Sequence, residues 1–102
     1  MDIKKVINGL YFEWDENKEK INIRKHKVSF DEAALVFFDD TLWEYYDFKH
    51  SVSENRRIAI GRVNNILFVV YTRRENNVLR LISARPATKS EKRRYYGRLR
   101  NR

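Results

Sequence analysis

The sequence predicts a single α+β domain over residues 1–102. A chain of this length has the usual size of one domain, and six Phe, six Tyr and two Trp provide enough apolar mass for a core. Alternating apolar residues predict strands, and two Ser/Thr-x-x-Glu capping boxes each predict the start of a helix. Together these signals give a short N-terminal strand, two helices, a four-stranded antiparallel sheet and a basic C-terminal helix, with the helices on one face of the sheet.

The first predicted elements are a short strand and a helix. Apolar side chains alternate with others over residues 10–14, which is the period-2 pattern of a strand. Asp15 is a suitable N-cap, and the good helix formers after it predict a helix to about Lys27. Helical spacing places one set of residues on the same side of this helix: Asn17, Ile21, Arg24 and Val28.

A capping box at residues 29–32 predicts a second helix. Ser29 would accept a hydrogen bond from the backbone N–H of Glu32, and the Glu32 carboxylate would accept one from the N–H of Ser29. The face of this helix that meets the core consists of Phe30, Ala33, Ala34 and Phe37. We interpret this face and Trp14 as core rather than as a stacking platform for a ligand.

Four strands are predicted next, at about residues 42–48, 57–63, 66–73 and 78–84, where β-branched and aromatic residues are frequent. Asn pairs lie at residues 64–65 and 76–77, and Asn tolerates the left-handed backbone of tight turns. The last three strands are therefore predicted to be antiparallel neighbours. Pro86 ends the sheet, and a second capping box at residues 88–91 begins the C-terminal helix.

The composition excludes several classes of chemistry. The absence of Cys excludes disulfides, thiolate zinc sites and cysteine nucleophiles, and two His leave little scope for a metal cage. No glycine-rich phosphate loop, GxSxG elbow or HExxH motif occurs, so we expect neither a cofactor nor a bound metal. The chain contains no apolar run near the roughly 18 residues of a membrane helix and no signal peptide, which predicts a cytoplasmic protein without membrane contact.

Charge is unevenly distributed along the chain, whose formal net charge is +8. Residues 89–102 contain seven basic residues and one acidic residue, whereas residues 31–54 contain seven acidic residues and one basic residue. A basic end of this kind attracts polyanions, and phosphate backbones are the commonest polyanions in a cytoplasm. The alternative is a solvated helix that serves only solubility.

Polar and cationic side chains interrupt the apolar strands. The set consists of Arg62, Tyr71, Arg73, Arg80, Ser83 and Arg85. Strict alternation places Arg80 and Arg85 on opposite faces of the last strand, so register and bulges decide whether the set meets in one cleft. The alternative is that the arginines pair with Glu54, Glu75 or Glu91, or extend to the rim of the sheet.

The two histidines have different predicted roles. His26 lies at the end of the first helix, where it is either an acid or base near neutrality or a cation favoured by the helix C-terminus. His50 lies in the polar stretch 49–55, which we expect to be a solvent-facing loop rather than part of a site.

Several motifs follow one another in a fixed order over roughly residues 12–95. They are FEWD at 12–15, Asn22, KHKVSF at 25–30 with Glu32 and Ala33, Arg57, Gly61-Arg62, VVYTRR at 69–74, ISARPAT at 82–88, Glu91 and Arg94-Tyr95. In this combination the sequence resembles the BrnT family of bacterial toxins. Lys27 stands where that family usually has Gly, and residues 1–9 look like an additional leader.

The resemblance implies a RelE-like fold and a ribonuclease of a type II toxin-antitoxin system that inhibits translation. It also implies neutralisation by a cognate antitoxin with a ribbon-helix-helix DNA-binding domain, in a toxin-antitoxin heterotetramer. Such a complex binds the operator of its own operon, and the toxin chain reaches operator DNA only through the antitoxin.

For such a ribonuclease we hypothesise a metal-independent reaction in which the ribose 2′-hydroxyl attacks the phosphate. Arginine suits the grip on the phosphate because its planar fork donates two bonds and stays charged. The grip is assigned to Arg85, Arg73 and Arg62, with Arg80 as a weaker member. Tyr71 or His26 would transfer protons, Tyr71 only if neighbouring cations lower its pKa, and Glu91 would orient an arginine or act as a base. The remaining RNA contacts are assigned to Lys25, Lys89, Lys92, Arg93 and Arg94.

Two other function classes are compatible with the sequence. One is a non-catalytic nucleic-acid-binding module, for which a basic helix and a sheet suffice. The other is a protein-interaction domain that docks a partner through the acidic segment 31–54 or through the basic end.

Overall fold

The fold is α+β, as predicted, and is built on a mixed sheet of six strands rather than an antiparallel sheet of four. The computed structural model describes residues 1–100, so Arg102 of the predicted basic end lies outside the described residues. The strands are β1 (Asp2–Ile7), β2 (Leu10–Asp15), β3 (Trp43–Tyr46), β4 (Arg56–Arg62), β5 (Ile66–Arg73) and β6 (Leu79–Pro86). The helices are α1 (Glu16–His26), α2 (Phe30–Ala34) and α3 (Lys89–Arg100).

The sheet order is β1-β2-β6-β5-β4-β3. The predicted antiparallel pairing of the last three strands is confirmed, and β3 adds to it as an edge strand. The two further strands come from the N-terminus, where β2 pairs with β6 in parallel at Phe12 and Glu13. None of the helices in the described part of the chain is long and apolar enough to cross a membrane.

Residues 1–9, interpreted above as a leader, belong to the sheet. β1 pairs with β2 along its whole length, from Asp2 opposite Asp15 to Ile7 opposite Leu10. The turn between them is Asn8-Gly9, and both residues have positive φ, as a type I′ hairpin turn requires. Because Asn-Gly is a strong local hairpin signal, this strand was predictable from the sequence.

The helix starts follow the predicted caps closely. The Asp15 carboxylate accepts a hydrogen bond from the N–H of Lys18, and Ser29 Oγ accepts one from the N–H of Glu32. Within residues 1–100, Glu32 makes no return bond, so only half of that capping box forms. α2 is short and continues as a 3₁₀ turn at Leu35–Phe38. Lys27 ends α1 with a φ of 60°, so the left-handed turn forms without glycine.

The inner side of α1 differs from the prediction. Asn22 is buried, whereas Asn17, Ile21 and Arg24 are exposed. The pairing of β2 with β6 ends at Glu13 and Arg80, and α1 lies across the β6 edge that is left open. An open strand edge requires hydrogen-bonding groups rather than apolar side chains, which is why the helix presents Asn22 there.

The sheet has two differently covered faces. The back face is covered by α1 and α2, with Trp14 and Phe30 fully buried and packed edge to face, as predicted for core. The front face carries a smaller cluster in which Tyr95 of α3 packs on Ile58 and Ile60. The helices therefore lie on both faces, and the expectation of a single covered face was wrong.

A bulge in β6 decides which arginines share a face. Val70 pairs with Ser83 and Tyr71 with Leu81, so Ile82 has no partner in β5. The front face consequently carries Arg80, Ser83 and Arg85 together. The prediction from strict alternation, which placed Arg80 and Arg85 on opposite faces, was wrong. The predicted alternation of β5 holds without a shift, and it places Tyr71 and Arg73 on the back face.

Candidate active site

The front face contains a depression of about 360 Å³ beside the start of α3. Strands β3 to β6 and the turn between β3 and β4 supply its walls. Its lining combines aromatic, cationic and titratable side chains with an apolar floor: Tyr45, Asp47, His50, Arg56, Ile58, Phe68, Val70, Ser83 and Arg85. This front depression brings cations and titratable side chains together.

Arg85 is fixed in orientation by two neighbours. Its guanidinium carbon lies 3.9 Å from the centre of the Phe68 ring, in a cation-π contact. Its two terminal nitrogens donate to the two carboxylate oxygens of Glu91, at 2.8 Å and 3.0 Å. This bidentate geometry is the one with which arginine also binds phosphate.

Glu91 is held in place by the second capping box, which forms completely. The N–H of Thr88 donates to Glu91 at 2.8 Å, and the N–H of Glu91 donates to Thr88 Oγ1 at 3.1 Å. The hydrogen bond from Arg85 is the main cause that lowers the pKa of Glu91, and the same bond raises the pKa of Arg85. A carboxylate with a lowered pKa is a weak base, so this geometry favours the orienting role predicted for Glu91.

Tyr45 and the turn after β3 complete the depression. Burial raises the pKa of Tyr45, and the negative charge of Glu91 raises it further against the opposing effect of Arg94. Tyr45 therefore keeps its phenolic proton at neutral pH. His50 lies in the 3₁₀ turn Phe48–His50, with its Nδ1 3.0 Å from Asp47 Oδ2.

His50 is exposed, as expected of residues 49–55, yet it lines the front depression. Sequence reasoning gave it no role in a site, since no local signal shows where the turn after β3 lies. The pairing of Tyr46 with Arg57 sets that position, because it returns the chain to the sheet beside β5.

Tyr71 and Arg73 are not brought to the front depression. Tyr71 is fully buried on the back face, donates to Glu44 and accepts from Arg57 Nε at 3.3 Å. Burial and the bond to Glu44 raise the pKa of Tyr71, so the lowered pKa on which its proton-transfer role depended is not observed. Arg73 lines a separate depression with Ser53 and other residues of the loop after β3.

Arg62 and Arg80 lie on the front face but outside the depression. Arg62 donates to the hydroxyl of Tyr96 in α3, and its backbone N–H donates to Asp39 at 2.7 Å. Arg80 forms ion pairs with Glu13 and, at 3.1 Å, with Asp2 of β1. The hydrogen bond that Arg80 donates to Asp2 is the main cause that raises the pKa of Arg80. Both arginines thus have partners within the described chain.

His26 and Lys25 lie on the other side of Ser83. They line a shallow depression of about 170 Å³ between α1 and the bulge of β6. Ser83 lines both this depression and the front depression, so the end of α1 borders the same strand as Arg85. The roles predicted for His26 and Lys25 stay predictions.

The outer side of α3 is a continuous cationic surface. Its exposed basic residues are Lys89, Lys92, Arg93, Arg94 and Arg100. None of these side chains forms an ion pair within residues 1–100. The guanidinium carbon of Arg94 lies 5.5 Å from the centre of the Trp43 ring, and Trp43 packs against Tyr45. The cationic surface therefore leads directly to the front depression.

Comparisons with known proteins agree with this architecture. A family model described as "Ribonuclease toxin, BrnT, of type II toxin-antitoxin system" matches residues 14–91. The structure is similar to the crystal structure of the Brucella abortus ribonuclease toxin BrnT, with a TM-score of 0.58 and 28% sequence identity. That similarity covers 74% of this chain and 94% of the Brucella chain. No curated protein sequence matches the chain significantly.

Proposed function

The chain belongs to the BrnT family of ribonuclease toxins of type II toxin-antitoxin systems, and we propose that it cleaves RNA in the front depression without a metal ion. The observation that carries this proposal is Arg85, whose guanidinium is held in fixed orientation by Glu91 and lines the front depression together with Tyr45. Metal-free cleavage needs a cation for the phosphate and groups that take and give protons.

In the proposed reaction the ribose 2′-oxygen forms a bond to phosphorus while the bond from phosphorus to the 5′-oxygen breaks. The products are a 2′,3′-cyclic phosphate and a 5′-hydroxyl end. Arg85 donates to the phosphate oxygens as negative charge develops on them, and Tyr45 donates a proton to the leaving 5′-oxygen. Glu91 holds the Arg85 fork in position until the phosphate arrives, because both accept the same pair of N–H groups.

The exposed cationic surface of α3 binds the RNA backbone in this proposal. It lies beside the depression and carries charges without ion-pair partners in the described chain, which is the arrangement that phosphate binding requires. Arg62, Arg73 and Arg80 stay candidates for further phosphate contacts.

The partner we propose is a cognate antitoxin with a ribbon-helix-helix domain, in a heterotetramer that reaches operator DNA through the antitoxin. We further propose that the chain has a RelE-like fold and that its cleavage of RNA inhibits translation in the cytoplasm. Co-expression tests this part: the chain alone is expected to arrest growth, and a small neighbouring gene of that type is expected to relieve the arrest. Growth without arrest contradicts the toxin role.

The experiment that tests the cleavage proposal uses purified chain and naked RNA in EDTA. Wild-type protein is expected to produce fragments with cyclic phosphate ends. Arg85→Ala is expected to reduce the cleavage rate by about 100-fold or more, the usual effect of losing one donor to a developing oxyanion. Arg85→Lys keeps the charge but not the fork, so its rate should stay close to that of Arg85→Ala.

The matched control is Arg74→Ala, which removes an exposed arginine paired with Glu54 and leaves the front depression intact. Circular dichroism of each variant verifies folding. A full cleavage rate in folded Arg85→Ala contradicts the assignment of the site. A shift of RNA mobility without fragments from wild-type protein contradicts cleavage of naked RNA. It favours either the non-catalytic binding module, for which a basic helix and a sheet suffice, or an enzyme that cleaves only on the ribosome.

A further inference from the structure

We propose that His50 is the general base of this reaction and that Asp47 is its positioning residue. The inference rests on the proposed ribonuclease function and names the group that takes the proton from the 2′-hydroxyl. His50 lines the front depression together with Tyr45 and Arg85, whereas His26 lies beyond Ser83. Of the two histidines, His50 is therefore the one that shares a depression with Arg85.

The contact with Asp47 sets the tautomer of the His50 ring. Both carboxylate oxygens of Asp47 lie within hydrogen-bond distance of His50 Nδ1, at 3.0 Å and 3.2 Å. An ionised carboxylate only accepts hydrogen bonds, so Nδ1 must carry the hydrogen. Nε2 is then left with its lone pair, which is the form that accepts a proton. In this arrangement Asp47 orients the His50 ring, and Nε2 of His50 accepts the proton of the substrate 2′-hydroxyl as a general base.

The neighbouring elements fix the position of the dyad. Asp47 directly follows β3, and its backbone N–H donates to the carbonyl of Arg56 on β4. Ser51 closes the turn by accepting from the N–H of Arg56 at 3.0 Å. The charged and titratable groups that line the depression with His50 are Asp47, Tyr45, Arg56 and Arg85.

Over one turnover the protein gains and loses the same number of protons. His50 Nε2 takes the proton of the 2′-hydroxyl as the new oxygen-phosphorus bond forms. Tyr45 gives its proton to the 5′-oxygen as the old bond breaks. The imidazolium then returns one proton to the tyrosine oxygen through water, so the protein regains its starting state with no net gain or loss.

The test compares His50→Gln with Lys49→Gln, an exposed neighbour in the same 3₁₀ turn. Cleavage rates are measured from pH 5 to 9, and affinity is measured with a 2′-O-methyl RNA that cannot react. His50→Gln is expected to lower the rate by about 10²–10⁴-fold, to flatten the fall in rate on the acid side, and to leave affinity within twofold. Lys49→Gln should cleave at the wild-type rate.

Two further variants separate chemistry from structure. His50→Ala should regain activity on addition of free imidazole, which a merely structural role would not allow. Asp47→Asn should slow the reaction because an amide can donate to Nδ1 and favour the wrong tautomer. Asp47→Glu should recover part of the rate.

The outcomes distinguish this inference from the proposed function. Absence of cleavage by wild-type protein contradicts both. Cleavage that persists in His50→Gln overturns only the assignment of the base, and a selective loss in His26→Gln would transfer the role to the end of α1.

Discussion

Among individual residues, Asn22 holds the site-bearing strand β6 by its backbone. Its side-chain amide donates to the carbonyls of Ala84 and Val28, at 2.8 Å and 2.9 Å, and its oxygen accepts from the N–H of Ala84 at 3.0 Å. One helix side chain thus replaces the strand that would otherwise pair with β6. Ala84 lies between Ser83 and Arg85, so this contact fixes the backbone from which the front depression is built.

Replacing Asn22 with Leu is expected to lower the free energy of unfolding by about 2–4 kcal/mol. The substitution keeps the side-chain size but leaves the N–H and carbonyl of Ala84 buried without partners, and each unpaired group costs about 1–3 kcal/mol. Urea unfolding measures the change. Asn17→Leu, on the exposed side of the same helix, is the matched control and should stay within about 0.5 kcal/mol of wild type. Equal stabilities of the two variants would contradict this account.

At the scale of elements, the start of α3 joins helix capping to the candidate site. The Glu91 carboxylate accepts the N–H of Thr88 and both nitrogens of the Arg85 fork. A residue that begins a helix therefore also orients the guanidinium that we assign to phosphate binding. This coupling explains why the basic helix lies beside the depression rather than elsewhere on the front face.

Glu91→Gln is expected to alter the pH dependence of stability. Because the folded-state pKa of Glu91 lies below its ordinary value of 4.5, its contribution is fully present above about pH 4.5 and is lost as the pH falls through the folded-state pKa. The variant should be less stable than wild type by about 1–2 kcal/mol at pH 7, with a smaller difference below pH 4.

Thermal unfolding between pH 3 and 7 measures this difference. Glu16→Gln serves as the control, since the exposed Glu16–Lys20 pair at 3.6 Å should contribute only about 0.3 kcal/mol. A stability difference between Glu91→Gln and wild type that stays constant over this range would show that the ionised pair with Arg85 contributes nothing.

The elements that could be predicted from the sequence are those specified by local signals. Asp15, Ser29 and Thr88 cap the helices at the predicted positions, and Asn64 and Asn76 adopt positive φ in the predicted turns. The N-terminal hairpin had an equally local signal in Asn8-Gly9, which the leader interpretation passed over.

The features that could not be predicted depend on contacts between distant segments. The parallel pairing of Phe12 with Leu79 and the bulge at Ile82 leave no trace in local periodicity. The residues of the candidate site also include some that local signals predict and some that they do not. Arg85 was identified because it interrupts an apolar strand, and Glu91 because it completes a capping box and belongs to the family motifs. The proximity of His50 to Arg85 depends instead on how two hairpins pair.

At the scale of the whole molecule, the two faces of the sheet have different roles. The back face is packed against α1, α2 and the 3₁₀ turn Leu35–Phe38, and it contains the larger core cluster. On the front face, α3 packs through Tyr95 and Leu99 and leaves the depression open. The chain thus concentrates stability on one side of the sheet and accessible chemistry on the other.

This division predicts how RNA affinity depends on salt. If the five exposed basic residues of α3 each neutralise one phosphate, the logarithm of affinity should fall against the logarithm of salt concentration with a slope of about −3.5, since each contact to single-stranded RNA contributes about −0.7. Replacing Lys92 and Arg93 together with Gln should reduce the slope by about 1.4. Fluorescence anisotropy with the 2′-O-methyl RNA measures the slope without cleavage.

The control for the salt dependence is Lys20→Gln in α1, which removes one charge from a helix that covers the back face. Total charge changes there too, but no phosphate contact is lost, so the slope should stay at the wild-type value. If Lys20→Gln flattens the slope as much per charge as Lys92→Gln, RNA is attracted by net charge alone and follows no defined surface. A slope that changes only with substitutions in α3 instead shows that the RNA backbone binds along this helix. Because the first turn of α3 orients Arg85, RNA bound in this way has a phosphate at the front depression.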